Sequence, residues 1–286
     1  MKLVMVHGRA QAGKDPVVLK KEWMDALGYG FLRANKALPV ATVVEFPFYG
    51  DELERLVELT NTPLAINANA KGTQSDAEKE LRGQILEELG AAMGVTQEDI
   101  EREYAGQPMQ KGPQNWEWVQ AILRAVDRIP GVNSSVIDAF TRDVYVYLTY
   151  PAVRTKIDRM VDAAIGNDSC VVLAHSLGTV VAYNVLVKRA AGPAVPRLVT
   201  VGSPLGIRAI RRWLETPLRC PACVGNWFNA YDERDVVALV ALDRQNFDIS
   251  PPIENKNDVL NFTDNRHGIA GYLADSVVAR KVIEFL

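Results

Sequence analysis

The sequence predicts an α/β protein, a mostly parallel sheet with helices on both faces and a helical insertion. Three observations carry that expectation. Short apolar runs of strand length recur at 2–6 (KLVMV), 40–46 (VATVVEF), 169–174 (SCVVLA), 197–202 (RLVTVG) and 226–231 (NWFNAY). Helically patterned segments follow several of them, and repeated β-α units imply parallel strands joined by crossover helices. Between the second and third runs, residues 51–140 become rich in charge and helical periodicity and poor in strand signals.

In chain order, the first strand at 2–6 ends at His7-Gly8. Asp15 suits an N-cap and Pro16 a first helical position. The helix they open carries Val18, Leu19, Trp23, Ala26 and Leu27 on one face and is expected to stop at Gly28. The strand at 40–46 is closed by Pro47 and a turn at Gly50. Within 51–140, helices are expected at 76–90 and 115–126, separated by Gly72, Gly106, Pro108, Gly112-Pro113 and Pro130-Gly131. This insertion reads either as a cover for the sheet or as a moving lid. The domain division is therefore 1–50 with 141–286 as the core, and 51–140 as a helical cap. A helix at 151–165 starts on Pro151, the strand at 169–174 leads into a helix at 178–190, and strands follow at 197–202 and 226–231. A last strand is expected at 257–262 and a closing helix over 269–285.

Composition narrows the classes of function. The chain has 286 residues, 48% hydrophobic and 23% charged, as in a soluble globular protein. Net charge is -3 with no long basic run, which disfavours nucleic acid as a partner. No stretch of 18 apolar residues predicts a membrane span, and MKLVMVH is short for a signal peptide. Three cysteines fit a reducing cytoplasm better than a disulfide framework.

The decisive stretch is CVVLAHSLGTVVAYNVL, residues 170–186. An apolar strand ends at Ala174-His175-Ser176-Leu177-Gly178, and an apolar helix follows at once. This is the nucleophile-elbow pattern G-x-S-x-G with Ala174 in the first glycine position. Small residues two before and two after the serine avoid collision with neighbouring backbone. The turn aims the hydroxyl out of the carboxyl edge of the sheet, above a helix N-terminus that favours developing negative charge. On these residues the chain resembles the α/β-hydrolase superfamily, most closely its lipase and esterase branches. The resemblance covers residues 1–50 and about 143–286, not the insertion. It implies a core without the first two strands of larger members.

A serine nucleophile needs a base, and the base needs a carboxylate to fix its tautomer. The chain has three histidines. His175 adjoins Ser176 on a strand end, where neighbours point to opposite faces, and reads as a packed or loop-bracing ring. His7 lies at the end of the first strand. His267, in a polar loop before the last helix, is left as the base. The resemblance implies the chain order serine, acid, histidine, which puts the acid in NWFNAYDERDVVAL, residues 226–239. Asp235, followed by Val236-Val237, matches the context found in relatives. Asp232 remains the alternative. In TVGSPLGI (200–207), Ser203 reads as a turn cap with no chemistry.

The loop HGRAQAGKD, residues 7–15, comes within one residue of the phosphate-binding pattern G-x-x-x-x-G-K-[ST]. Asp15 replaces the hydroxyl residue, its carboxylate competes for the backbone donors, and Pro16 removes one of them. The resemblance implies an oxyanion loop instead, with backbone donors at Leu177 and in the Gly8-Arg9 region, Arg9 being the choice. His7, Gly8 and His175 flank the expected substrate site. Arg9 and Lys14 read either as anion-binding or as solvated loop charges. Cys220-Pro-Ala-Cys223 lacks the second ligand pair of a zinc site and the strand-helix setting of a redox motif. Cys170 reads as core.

These readings converge on a serine hydrolase that cleaves carboxylic esters through an acyl-enzyme, without cofactor or metal. Its substrate would be a small-molecule or lipid-like ester, with a soluble ester favoured. Two other classes of function stay open. One is a catalytically silent binding module on the same fold. The other is a nucleotide-binding protein using the Gly8–Lys14 loop.

Overall fold

A computed structural model describes the chain except for residues 61–72, 105–111, 113–114, 131 and 192–194. Six strands form one all-parallel sheet in the order β2-β1-β3-β4-β5-β6. They are β1 (Lys2–Val6), β2 (Val43–Glu45), β3 (Cys170–His175), β4 (Val195–Val201), β5 (Val224–Ala230) and β6 (Glu254–Lys256). From β1 the chain steps outward to the β2 edge, then crosses back to β3 on the other side of β1. The strand order therefore reverses between β1 and β3, where an open parallel sheet leaves a crevice at its carboxyl ends. Register pairs Val6 with Ala174, so the two strands end level with each other.

Strand alternation divides the core in two. Val4 and Val6 of β1, with Cys170, Val172 and Ala174 of β3, face one hydrophobic cluster; Leu3, Met5, Val171 and Leu173 face the other. The second face is covered by α1 (Pro16–Arg33) and by α10 (Ile269–Leu273) and α11 (Ser276–Ile283) near the end of the chain. The first face receives α2 (Gly50–Thr60), α3 (Thr73–Ala92), α4 (Gln97–Glu103), α5 (Trp116–Asp127), α6 (Ser134–Thr149), α7 (Pro151–Ile165) and α8 (Leu177–Leu186). A short α9 (Arg208–Arg211) follows β4. Residues of α2, α3, α5 and α6 share one continuous buried cluster with the sheet. A single helix, α6, crosses the 140/141 position expected to separate insertion from core. Among the described residues, no helix is long and apolar enough to cross a membrane.

Several element boundaries differ from expectation, each for a physical reason. Helix α1 runs past Gly28 to Arg33, because Leu27 and Phe31 extend its buried stripe. Gly30 lies so close to α10 that a Cβ there would come within 2.2 Å of the Leu273 carbonyl oxygen. This glycine permits close packing rather than ending a helix. The strand at 40–46 shrinks to three residues on a half-exposed edge. The helix after the elbow starts at once and ends at Leu186, short of residue 190.

The last strand lies at Glu254–Lys256, not at 257–262. Lys256 pairs with Ala230, the final residue of β5, so residues 257–262 have no strand left to extend against. They bond instead to the loop after β5, through Val259 N–H to the Tyr231 carbonyl at 3.3 Å and Asn261 N–H to Asp232 Oδ2 at 2.9 Å. The closing helix breaks in two because Asp275 caps a fresh start, accepting from the N–H groups of Val277 and Val278. Of the expected separators in the helical segment, Gly72, Gly106, Pro108, Pro113 and Gly131 lie outside the described residues.

Candidate functional site

The elbow owes its shape to close backbone packing. One residue, Ser176, separates the end of β3 from the start of α8. It is held at φ 55° and ψ −132°, a left-handed conformation costly for a side chain with a Cβ. A Cβ on Gly178 would lie 2.4 Å from the His7 carbonyl oxygen. A Cβ on Gly8 would lie 2.8 Å from Cβ of Ser176. Only glycine at both places lets the first turn of α8 press against the end of β1. Thr179 braces the turn from within, donating its hydroxyl to the Ser176 carbonyl at 2.7 Å.

From Ser176 a hydrogen-bonded chain crosses two loops. The Ser176 hydroxyl lies 2.8 Å from His267 Nε2, and His267 Nδ1 lies 2.7 Å from Asp235 Oδ2. A carboxylate only accepts, so Nδ1 carries the proton, leaving the Nε2 lone pair for the serine. Asp235 is fully buried beyond the end of β5 and takes further bonds from Val237 N–H at 3.0 Å and the Tyr272 hydroxyl at 2.5 Å. Ser176, Asp235 and His267 are thus brought together. The alternative acid, Asp232, does not touch the imidazole; its Oδ2 receives Asn261 N–H, and Asn261 in turn donates to the Gly268 carbonyl at 2.9 Å. Asp232 shapes the loop on which His267 sits.

The other two histidines hold backbone. His175 Nε2–H donates to the His267 carbonyl at 2.8 Å, and the two rings lie 4.7 Å apart. Burial, and then the charge that His267 can carry, hold His175 far below the usual imidazole range, so it stays neutral. His7 is enclosed, its ring 4.0 Å from that of Tyr49. Its Nδ1–H donates to the Gly8 carbonyl at 2.7 Å, while Nε2 accepts from Tyr49 N–H at 3.0 Å. Burial lowers its pKa to about 4, against the Gly8 bond that raises it and with a smaller push from Lys14. With both nitrogens engaged and no exposed surface, His7 braces the loop from behind rather than meeting a ligand.

A cavity of about 290 Å³ opens over Ser176 and His267. Leu19 and Trp23 of α1, Val136 and Phe140 of α6, Val237 and Ile269 give it apolar walls, and Gln11, Lys14 and Glu22 add polar groups. His175 lines it, as does Arg9. The loop from residue 7 to residue 15 is tied at several points. Arg9 Nε donates to Asp143 Oδ2 of α6 at 2.7 Å, Gly13 N–H to Asp51 of α2 at 2.7 Å, and Lys14 Nζ to Gln11 Oε1 at 3.0 Å. Asp15 takes the N–H groups of Val17 and Val18. Several donors that a phosphate would need are thus already engaged: the N–H groups of Gly13, Val17 and Val18 by carboxylates, and Lys14 by Gln11. Leu177, as the first residue of α8, has an N–H with no carbonyl one turn back in the helix to receive it. Strained backbone gathers here: among the described non-glycine residues with positive φ are Ala10, Ser176 and Arg266, each in or beside the cavity wall.

Sequence reasoning missed Tyr272, Asp143 and Gly202. A Cβ on Gly202, at φ 57°, would press within 3.3 Å of Tyr272, Asp235 and His175 together. Ser203 bonds to Thr179 at 2.8 Å and to Leu205 N–H, as a turn cap does. The cysteines are all free thiols, with Cys170 and Cys223 buried. Among the described residues, no cluster of three or more His, Cys, Asp and Glu side chains could hold a metal ion. No family profile, curated protein or solved structure matches the chain.

Proposed function

We propose that this protein is a serine hydrolase that cleaves carboxylic esters through an acyl-enzyme. The observation that carries the reading is the unbroken bond chain from the Ser176 hydroxyl through His267 to buried Asp235, beneath an open cavity. Ser176 attacks the ester carbonyl as His267 Nε2 takes its proton, and the imidazolium is stabilised by Asp235. The tetrahedral oxyanion forms beside the N-terminus of α8, where Leu177 N–H and Arg9 N–H donate to it. One such donor lowers the barrier by roughly 3 kcal/mol. His267 then protonates the leaving alcohol, and water clears the acyl group by the same steps reversed.

The elbow motif and a parallel sheet whose strand order reverses beside Ser176 support a lipase- or esterase-like member of the α/β-hydrolase superfamily. The cavity sits near the lower end of the range for small-molecule sites, about 300 to 1,000 Å³. Its apolar wall suits a compact acyl group, and the exposed Lys14 and Glu22 suit a polar remainder. A soluble ester fits this better than a long lipid chain.

The test is intact-mass analysis after treatment with a fluorophosphonate. One adduct on the wild type, absent from Ser176→Ala, is expected. Folded wild-type protein that takes no adduct would overturn the reading.

A further inference from the structure

The Asp235 carboxylate has an unusual division of labour between its oxygens. Oδ1 takes Val237 N–H, whereas Oδ2 takes both His267 Nδ1–H and the Tyr272 hydroxyl. Tyr272 is itself fully buried on α10, and its oxygen accepts Asp232 N–H at 3.3 Å. That bond uses a lone pair of the phenol and directs its single proton to Asp235. Gly202 leaves the space the ring needs beside this oxygen.

We propose that Tyr272 is a positioning residue for the Ser176–His267–Asp235 relay, sharing the Asp235 oxygen with His267 so that the carboxylate stays anionic without water and binds the imidazolium less tightly. The proposal rests on the ester-hydrolase reading for its chemistry, but its central contact exists whether or not the protein turns over an ester. A carboxylate sealed from solvent is costly unless several donors reach it. Two donors on one oxygen also divide its charge, so each bond is weaker than it would be alone. Burial and the neighbouring charges of Asp235 and Asp232 keep the phenol protonated, far above the ordinary tyrosine range. Tyr272 therefore donates across the whole working pH range.

Other charges around His267 are few. The His175 ring lies tilted against it and is neutral; Ser176 and Asp235 bond to it. Arg9 and Lys14 from the loop after β1, and Glu22 from α1, line the same cavity. Arg9 is neutralised by Asp143, and Asp232 lies behind Tyr272 between Arg234 and Arg266. Removing the Tyr272 hydroxyl adds or removes no charge among these groups, but it also frees Asp232 N–H; 3-fluorotyrosine keeps that bond, so a His267 shift there reports the bond to Asp235.

The experiment follows the downfield proton of His267 Nδ1 by NMR across pH, in wild type and Tyr272→Phe. The expected result is a midpoint moved upward by about 0.5 to 1 pH unit, with the acid limb of kcat/KM moving by the same amount. Replacing Tyr272 by 3-fluorotyrosine keeps the ring and makes a stronger donor, so the midpoint should move the opposite way. That second substitution decides the matter if Tyr272→Phe fails to fold. Unchanged midpoints, or both moving in one direction, would overturn the proposal. A shifted midpoint in a protein that takes no fluorophosphonate would uphold the Tyr272 contact and defeat the hydrolase reading.

Discussion

Two neighbouring strands leave the same edge of the sheet in opposite ways. Strand β3 enters α8 through one strained residue, Ser176, whereas β1 reaches α1 through the long loop from residue 7 to residue 15. The tight turn is rigid by sterics: Gly178 lies against the His7 carbonyl and Gly8 against Ser176. Beyond Gly8 the long loop is held chiefly by groups from distant elements: the Tyr49 backbone N–H on His7, and the Asp51 and Asp143 carboxylates. In the proposed chemistry the first presents a nucleophile and the second an oxyanion donor. The contrast teaches that equal precision can come from local strain or from long-range anchoring. Changes to the two regions should therefore fail differently.

The largest effect belongs to the relay above the tight turn. Asp235→Asn offers His267 a donor where it needs an acceptor, which moves the ring proton to Nε2 and blocks the serine. A fall in kcat of about 10⁴-fold is expected, with fluorophosphonate labelling slowed in parallel. Asp232→Asn, which keeps an acceptor for Asn261 N–H, should cost only a few-fold. Equal losses in steady-state ester hydrolysis would sink the assignment of Asp235 over Asp232.

Next comes the turn itself. Gly178→Ala drives a Cβ to 2.4 Å from backbone that belongs to another strand, and overpacking of this kind costs about 3 kcal/mol or more. Gly13→Ala meets open space in the long loop, at φ 74°, and should cost about 1 kcal/mol from the left-handed backbone alone. Chemical denaturation of both variants checks the ranking. A reversal would mean that the elbow yields and the loop does not.

The anchoring of the long loop has a pH signature. His7 is buried and neutral, with its pKa lowered to about 4 from an ordinary 6.5. In the unfolded chain the ring gains its proton as pH falls through 6.5; in the folded protein it does so only near 4. Stability from this group is therefore complete above about pH 6.5 and is lost as pH falls toward 4, by about 3 kcal/mol in all. His175, also depressed by burial, acts in the same direction. Denaturation measured from pH 7 to 4.5 should show a steeper loss for wild type than for His7→Gln. Parallel slopes would refute the role given to His7.

The same contrast explains what could be read from sequence. Signals held within a few residues were legible: the apolar runs of β1 and β3, the Asp15-Pro16 start of α1, and the small residues around Ser176. Ser176 and His267 stood out because a local motif and only three histidines narrowed the choice, whereas Asp235 rested on the resemblance, with Asp232 left open. Partners that act across the fold gave no local sign. Tyr272 reads as a core aromatic in IAGYL, and Asp143 as an ordinary helix position. Gly28 resembled a helix stop, because nothing nearby reveals that α1 continues beneath α10. Residues 257–262, with Val259, Leu260 and Phe262, suggested a strand, although β5 had already ended.

A smaller effect on catalysis than that of Asp235→Asn probes the most distant anchor. Asp143 is almost fully buried on α6 and receives Arg9 Nε, the residue proposed to offer a backbone N–H to the oxyanion. Asp143→Asn keeps the shape and one acceptor but removes the charge. Arg9 then holds α6 less tightly, and the backbone of the loop samples positions where its N–H misses the oxyanion. Since the substrate contacts in the ground state are unchanged, the loss should fall on kcat rather than KM, by about 10-fold, or roughly 1.4 kcal/mol of barrier. Arg9→Lys should do the same, because a lysine cannot reproduce the guanidinium geometry. A change confined to KM would instead mean that Arg9 meets the substrate through its side chain. The long loop would then be a recognition element, and the oxyanion would depend on the tight turn alone.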